Sequence, residues 1–156
     1  GSIFYLARKY DEAAAKARIH VSAAPENPFA HLNLANALFE KGQYAEALGS
    51  YQASLKLEET TTALVYLGRA YAVTGNHKEA LGILDKLEIT KKYVSPAEAA
   101  ILYAALGERQ KAFDWLEKAF DEGDFHLTSL KVNPAFDPLR DDPRFKELLK
   151  RLNLPE

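Results

Sequence analysis

One short phrase recurs along the chain at a nearly constant interval, and it limits the possible folds more than any other feature of the sequence. Gly42-Gln43-Tyr44-Ala45-Glu46-Ala47 is echoed by Gly75-Asn76-His77-Lys78-Glu79-Ala80 and by Gly107-Glu108-Arg109-Gln110-Lys111-Ala112. An eroded copy is Arg8-Lys9-Tyr10-Asp11-Glu12-Ala13. The closing alanines stand at 13, 47, 80 and 112, so the intervals are 34, 33 and 32. A period of this size is the mark of a unit that cannot bury its apolar face alone and does so by stacking on its neighbours.

Each copy of the phrase sits between two helical patterns. Upstream of the glycines lie Leu34 and Leu38, then Leu64, Leu67 and Tyr71, then Ala99, Ala100 and Tyr103. Downstream, Ala47, Tyr51 and Ser54 recur as Ala80, Leu84 and Leu87 and as Ala112, Leu116 and Ala119. Both sets keep the offsets of one helical face. The unit is therefore helix, tight turn, helix, with Gly42, Gly75 and Gly107 closing the first helix where a left-handed residue is required. Ser95-Pro96 and Asp142-Pro143 read as an N-cap followed by the first helical residue. Gly49, Gly68 and Gly82 fall inside helices at a cost of about 1 kcal/mol each relative to Ala. Close approach of neighbouring helices is the expected compensation. No stretch alternates as a strand does. Helices are expected over 3–8, 10–23, 28–41, 44–57, 61–74, 77–88, 95–106, 109–122 and 142–152, with a short piece near 126–131 and a turn near 135–139.

These residues resemble the tetratricopeptide repeat family. The best unit is 61–92, with Leu64, Leu67-Gly68, Tyr71, Gly75, Ala80 and Leu84. His31 stands where the family favours a large aromatic, and His77 and Arg109 stand where it favours Tyr. The resemblance implies an all-α, right-handed solenoid over 3–124. It would consist of a partial repeat 3–27 and repeats 28–60, 61–92 and 93–124, followed by a capping segment 125–156. The closing residues Asn133 to Leu149 resemble the ends of such arrays in bacterial signalling proteins. Read from the residues alone, they form a cap: Phe145, Leu148, Leu149 and Leu152 make one apolar stripe, and Lys146, Glu147, Lys150 and Arg151 face water. Gly1-Ser2 reads as a tag remnant, so the chain is expected to be a piece of a longer protein.

Composition narrows the function. The chain has 156 residues, 47% of them apolar and 27% charged, with a net charge of −2. There is no global basic excess to hold a phosphate backbone, so no nucleic-acid partner is expected. No run approaches the roughly 18 apolar residues of a membrane helix, so no membrane insertion is expected. Cysteine is absent, which removes thiolate catalysis and Cys-ligated metals. The four histidines, His20, His31, His77 and His126, share no spacing that puts two imidazoles on one helical face. Trp115 is expected in core or interface packing. Neither a nucleophile elbow nor a Gly-rich phosphate loop occurs. The expectation is no enzyme, no cofactor and no metal, in a cytoplasmic protein.

In tetratricopeptide arrays the first helices line a concave face, and the resemblance implies that a protein or peptide segment binds there. The groove residues are then expected to be Tyr5 from the partial repeat, Phe29, Leu32, Asn33, Asn36 and Phe39 from 28–41, and Tyr66, Arg69 and Val73 from 61–74. Glu98, Ile101 and Ala105 are their counterparts in 95–106. Asn side chains both donate and accept, and so suit an extended backbone. Arg69 offers a fork for a carboxylate. Some relatives hold a terminal carboxylate with Asn, Lys and Arg; this chain supplies Asn36 and Arg69 but not the lysines. The leading expectation is a scaffold or adaptor. The alternative is a regulatory or sensory module of a bacterial signalling enzyme or transcription regulator, acting through self-association. A weak homodimer is expected through the apolar strip Ile3-Phe4-Tyr5-Leu6 at the N-terminal edge.

Overall fold

The structure is a computed structural model that describes residues 5–154. Ile3, Phe4 and the Gly1-Ser2 pair lie outside the described residues. The helices run α1 Tyr10–Ala23, α2 Pro28–Glu40, α3 Tyr44–Leu57, α4 Thr61–Val73, α5 His77–Thr90, α6 Pro96–Ala105 and α7 Arg109–Glu122. Two 3-10 helices follow, Phe125–Ser129 and Pro134–Leu139, and α8 spans Pro143–Arg151. The described residues form no strand.

Side-chain caps fix the starts of α2, α4, α6 and α8, whereas those of α1, α3, α5 and α7 carry none. The Asn27 side chain accepts from the Phe29 amide at 2.9 Å, with Pro28 in the first position. Thr60 caps α4 through the Ala63 amide, Ser95 caps α6 through the Glu98 amide, and Asp142 caps α8 through the Arg144 amide. Each cap satisfies a donor that the helix itself cannot.

The ends of the first helices are alike. Gly42, Gly75 and Gly107 have φ of +77°, +84° and +79°. At each one the following amide reaches back to the carbonyl five residues earlier: Gln43 to Leu38, Asn76 to Tyr71 and Glu108 to Tyr103. Gly123 ends α7 the same way, with Asp124 bonded to Ala119. This is the Schellman arrangement, and only a residue without a Cβ adopts it without strain.

Helices α2 and α3, α4 and α5, and α6 and α7 pack as pairs. The first helices stack on one another, α2 on α4 and α4 on α6, while α1 packs on α2. This is the stacked, all-helical architecture of a tetratricopeptide solenoid. Helix α4 is the centre of the stack, and every residue from Ala63 to Ala70 is buried. The framework residues Ala47, Ala80 and Ala112 have no exposed surface.

Two of the three helix-interior glycines differ from expectation. A Cβ on Gly68 would lie 3.0 Å from Leu102 and 3.2 Å from Ile83, so this position is a close approach. At Gly49 and Gly82 a Cβ would meet nothing within 4 Å. The packing explanation holds for Gly68 alone.

Helix α8 closes the C-terminal end by docking on α7. Arg144 donates to Gln110 at 2.9 Å and its guanidinium lies 4.0 Å from the Phe113 ring centroid. Arg151 pairs with Glu117 at 2.8 Å and lies 4.2 Å from the Phe120 centroid. Phe145, Leu148 and Leu149 are buried, and their polar neighbours on α8 face outward.

Candidate functional site

Tyr5, from the short N-terminal helical turn, donates to Glu40 Oε1 at 3.3 Å. Arg69 Nη1 donates to the same oxygen at 2.6 Å, and its guanidinium lies 4.6 Å from the Phe39 centroid. Three successive first-helix layers thus meet in one buried polar cluster. Arg69 is only 7% exposed. Burial opposes its charge, but the Tyr5 and Glu40 neighbours outweigh that, and its pKa stays above the ordinary value. Burial also pushes the Tyr5, Tyr51 and Tyr66 phenols up, so all three are neutral at physiological pH.

Of the expected groove residues, Tyr5, Leu32, Phe39, Tyr66 and Arg69 are buried. Asn33 and Asn36 are half-buried. Phe29, 56% exposed, and Val73 are open to solvent. Asn36 is not paired with Arg69 in a clamp; its Oδ1 accepts from Tyr51 Oη at 2.6 Å, from the second helix of its own unit. Arg69 is not an open fork, because its own chain already supplies the carboxylate. Truncating Arg69 would therefore change stability as well as any binding. In α6, Glu98 and Ile101 are likewise buried.

The C-terminal segment covers part of this face. Asn133 Nδ2 donates to Tyr66 Oη at 3.2 Å. Phe136 is 1% exposed and belongs to the main apolar core. Asp137 accepts two hydrogen bonds from Arg8, at 2.6 and 2.8 Å, and another from Arg140 at 2.5 Å. Arg109 Nη1 donates to the Pro138 carbonyl at 2.6 Å. Residues 133–138 thus cross the stack from α4 to the N-terminal turn. Burial raises the Asp137 carboxyl, but Arg8 and Arg140 outweigh it and hold its pKa below the usual carboxylate value.

A second cluster anchors the start of that segment. Asp124 accepts from the Ser95 hydroxyl and, at 3.1 Å, from the Ala97 amide. Its other oxygen lies 2.8 Å from His126 Nδ1. Burial raises the Asp124 pKa, but these hydrogen bonds bring it below its usual value. Glu98, across from His126 Nε2 at 3.7 Å, is raised by burial; the Thr62 hydroxyl bonds it at 2.7 Å. Glu40, Asn133 and Asp137 were not singled out from sequence as partners of the first helices. The Asn-Pro pair at 133–134 was the available signal, and it was read as part of a cap.

On the other side of α4, a cavity of about 330 Å³ opens between α5, α6 and α7. Leu84, Leu87, Tyr103 and Trp115 line it. The Tyr103 and Trp115 rings stack there with centroids 6.4 Å apart. At the N-terminal edge, Tyr5 packs with Ala13, Ala14 and Ala37, and Leu6 and Tyr10 cover them. Among the described residues, no group of three or more His, Asp or Glu side chains is placed to hold a metal ion. Among them too, no helix is long and apolar enough to cross a membrane.

A family model for the tetratricopeptide repeat matches residues 32–94. No curated protein matches the chain.

Proposed function

We propose, on the premise that the chain belongs to the tetratricopeptide repeat family through residues 32–94, that it works as a scaffold or adaptor. It binds a protein segment on the side lined by its first helices. Repeats of this family are in general protein–protein interaction modules and typically carry no catalytic site. The observation that carries the reading is the convergence of Tyr5, Glu40 and Arg69, with Phe39 beneath the guanidinium. Three successive layers bring aromatic and charged groups together on the side lined by the first helices. Large aromatic and Arg side chains are also the types that dominate binding energy at interfaces.

Arg69 is a poor probe, because its removal strands Glu40. Phe29 is a better one: it is exposed, and it was assigned to the binding face from sequence alone. A photo-crosslinking residue placed at Phe29, and in a separate chain at the exposed Gln52 of α3, tests the reading in lysate of the source cells. The expected result is a discrete crosslinked partner from position 29 and none from position 52. Equal labelling from both positions would refute the assignment of the binding face.

A further inference from the structure

The junction between the α4–α5 pair and the α6–α7 pair differs from the one before it. Helix α3 packs on α4, but its counterpart one layer on, α5, makes no such packing on α6. Three residues, 58–60, join α3 to α4, and five, 91–95, join α5 to α6, so the longer link lets α5 stand away. Two adjoining hollows of about 330 and 280 Å³ lie in the gap and share Leu84, Glu88 and Tyr103. Together they form a trough with α6 as its floor and α5 and α7 as its walls. Each wall gives it one helical face: Leu81, Leu84 and Glu88 from α5, and Lys111, Trp115 and Lys118 from α7. Leu81, 51% exposed, belongs to one hollow, and Tyr93, 75% exposed, to the other.

Charge decides what fits there. The lysines of the trough already have carboxylates: Lys92 lies 3.7 Å from Glu59, Lys111 3.5 Å from Glu108 and Lys118 3.8 Å from Glu122. Asp85 and Glu88, exposed on the α5 wall, have no ion-pair partner among the described residues. The unbalanced charge is therefore negative, and it borders an apolar floor. The aromatic faces attract cations too: Lys118 lies 4.7 Å from the Trp115 centroid and Lys111 5.7 Å from that of Tyr103. We propose that the trough docks an amphipathic helix of a partner protein, with its apolar stripe in the two hollows and its Lys or Arg side chains against Asp85 and Glu88. A groove walled by helices takes another helix through anchors at i, i+3 or i+4, and i+7. Apolar burial supplies most of the affinity, because exposed ion pairs are individually weak. The two carboxylates select the sign of the partner's charge. This site is separate from the first-helix face and does not rest on that reading.

The chain's single Trp lines the trough, so its fluorescence reports occupancy directly. The probe is a Trp-free synthetic peptide of about 15 residues, Ala-rich to favour a helix, with Leu at i, i+4 and i+7 and Lys beside that stripe. One control peptide carries Glu for Lys, and another has the same residues in scrambled order. The Lys peptide is expected to bind saturably and to move Trp115 emission to shorter wavelength. The Glu peptide is expected to bind about tenfold more weakly, about 1.4 kcal/mol, on the scale of two exposed ion pairs. In the Asp85→Lys/Glu88→Lys chain the order should reverse, and in the Asp85→Asn/Glu88→Gln chain the preference should vanish; circular dichroism checks that each is folded. The proposal falls if the Lys peptide leaves the emission unchanged, if the scrambled peptide binds as well, or if a folded variant keeps the wild-type preference. An emission shift that follows chain concentration without any peptide would put a second copy in the trough and would overturn the proposal too. None of these outcomes bears on the crosslinking from Phe29.

Discussion

Alanine in place of each helix-interior glycine separates backbone preference from packing. Gly49, Gly68 and Gly82 all lie in helices, so replacement by Ala brings the same gain at each, about 1 kcal/mol. Only Gly68 has a neighbour in the way. Its new Cβ would sit 3.0 and 3.2 Å from the two methyls of Leu102 and 3.2 Å from Ile83. Leu102 has no exposed surface and Ile83 is also buried, so both must shift by a few tenths of an ångström to admit the methyl. Overpacking of a filled core costs about 1–3 kcal/mol. Subtracting the backbone gain leaves Gly68→Ala between neutral and about 2 kcal/mol less stable than wild type. Gly49→Ala and Gly82→Ala are each expected to be about 1 kcal/mol more stable. The propensity gain cancels between sites, so the gap between Gly68→Ala and the other two measures the contact itself. Urea unfolding with a common slope reads this gap from the midpoints. Three variants shifting equally in the stabilising direction would show that α4 does not press on α6, and the stacking of first helices would have to be redrawn.

Arg69→Ala is expected to cost about 3 kcal/mol by leaving the part-buried Glu40 carboxylate, still bonded by the Tyr5 hydroxyl, without its counter-charge. Arg69→Met with Glu40→Met should recover much of that loss, and a double-mutant cycle with no coupling between the two would refute the pair. Acid should act in two opposed steps. Glu98, raised by burial, takes up its proton first, so stability holds or rises slightly as the pH falls from neutral toward the ordinary Glu value of 4.5. Asp124 and Asp137 are depressed, and Arg144 holds the capping Asp142 at about 2. Their contribution is complete above the unfolded value of 3.8 and is lost only as the pH drops through their depressed values. A thermal midpoint that already falls between pH 6 and pH 5 would contradict this assignment.

The repeat was legible because its signals are local. Gly42, Gly75 and Gly107 announce a left-handed helix end, and all three have it. Ser95 and Asp142 announce caps, and both bond the expected amides. The helix spans follow from these stops and from the apolar offsets. The state of the first-helix face was not legible, because it depends on contacts between residues far apart in the chain. No short-range pattern says that Asp137 will meet Arg8, 129 residues away, or that Asn133 will meet Tyr66. Rotation about the helix axis placed Arg69 with Phe39, which the structure also does, but it could not reveal that Glu40 takes the fork. Asn36 is a similar case: its offset fits the groove, and its Oδ1 accepts from Tyr51 of the facing helix. The glycines teach the reverse lesson. Sequence treats Gly49, Gly68 and Gly82 alike, and only the neighbours across the interface distinguish them.

The central claim is that the first-helix face is closed by the chain's own C-terminal segment. Nuclear Overhauser spectroscopy of the isotope-labelled full chain in dilute solution tests it directly, through the contact between the Asn133 side-chain amide and the Tyr66 ring. With Nδ2 and Oη 3.2 Å apart, cross-peaks are predicted from both Asn133 amide protons to the Tyr66 ring protons. They should persist on dilution. A spectrum in which Tyr66 shows cross-peaks to its neighbours in α4 but none to Asn133 would mean the face stands open in solution, and the account of a self-occupied site would be wrong.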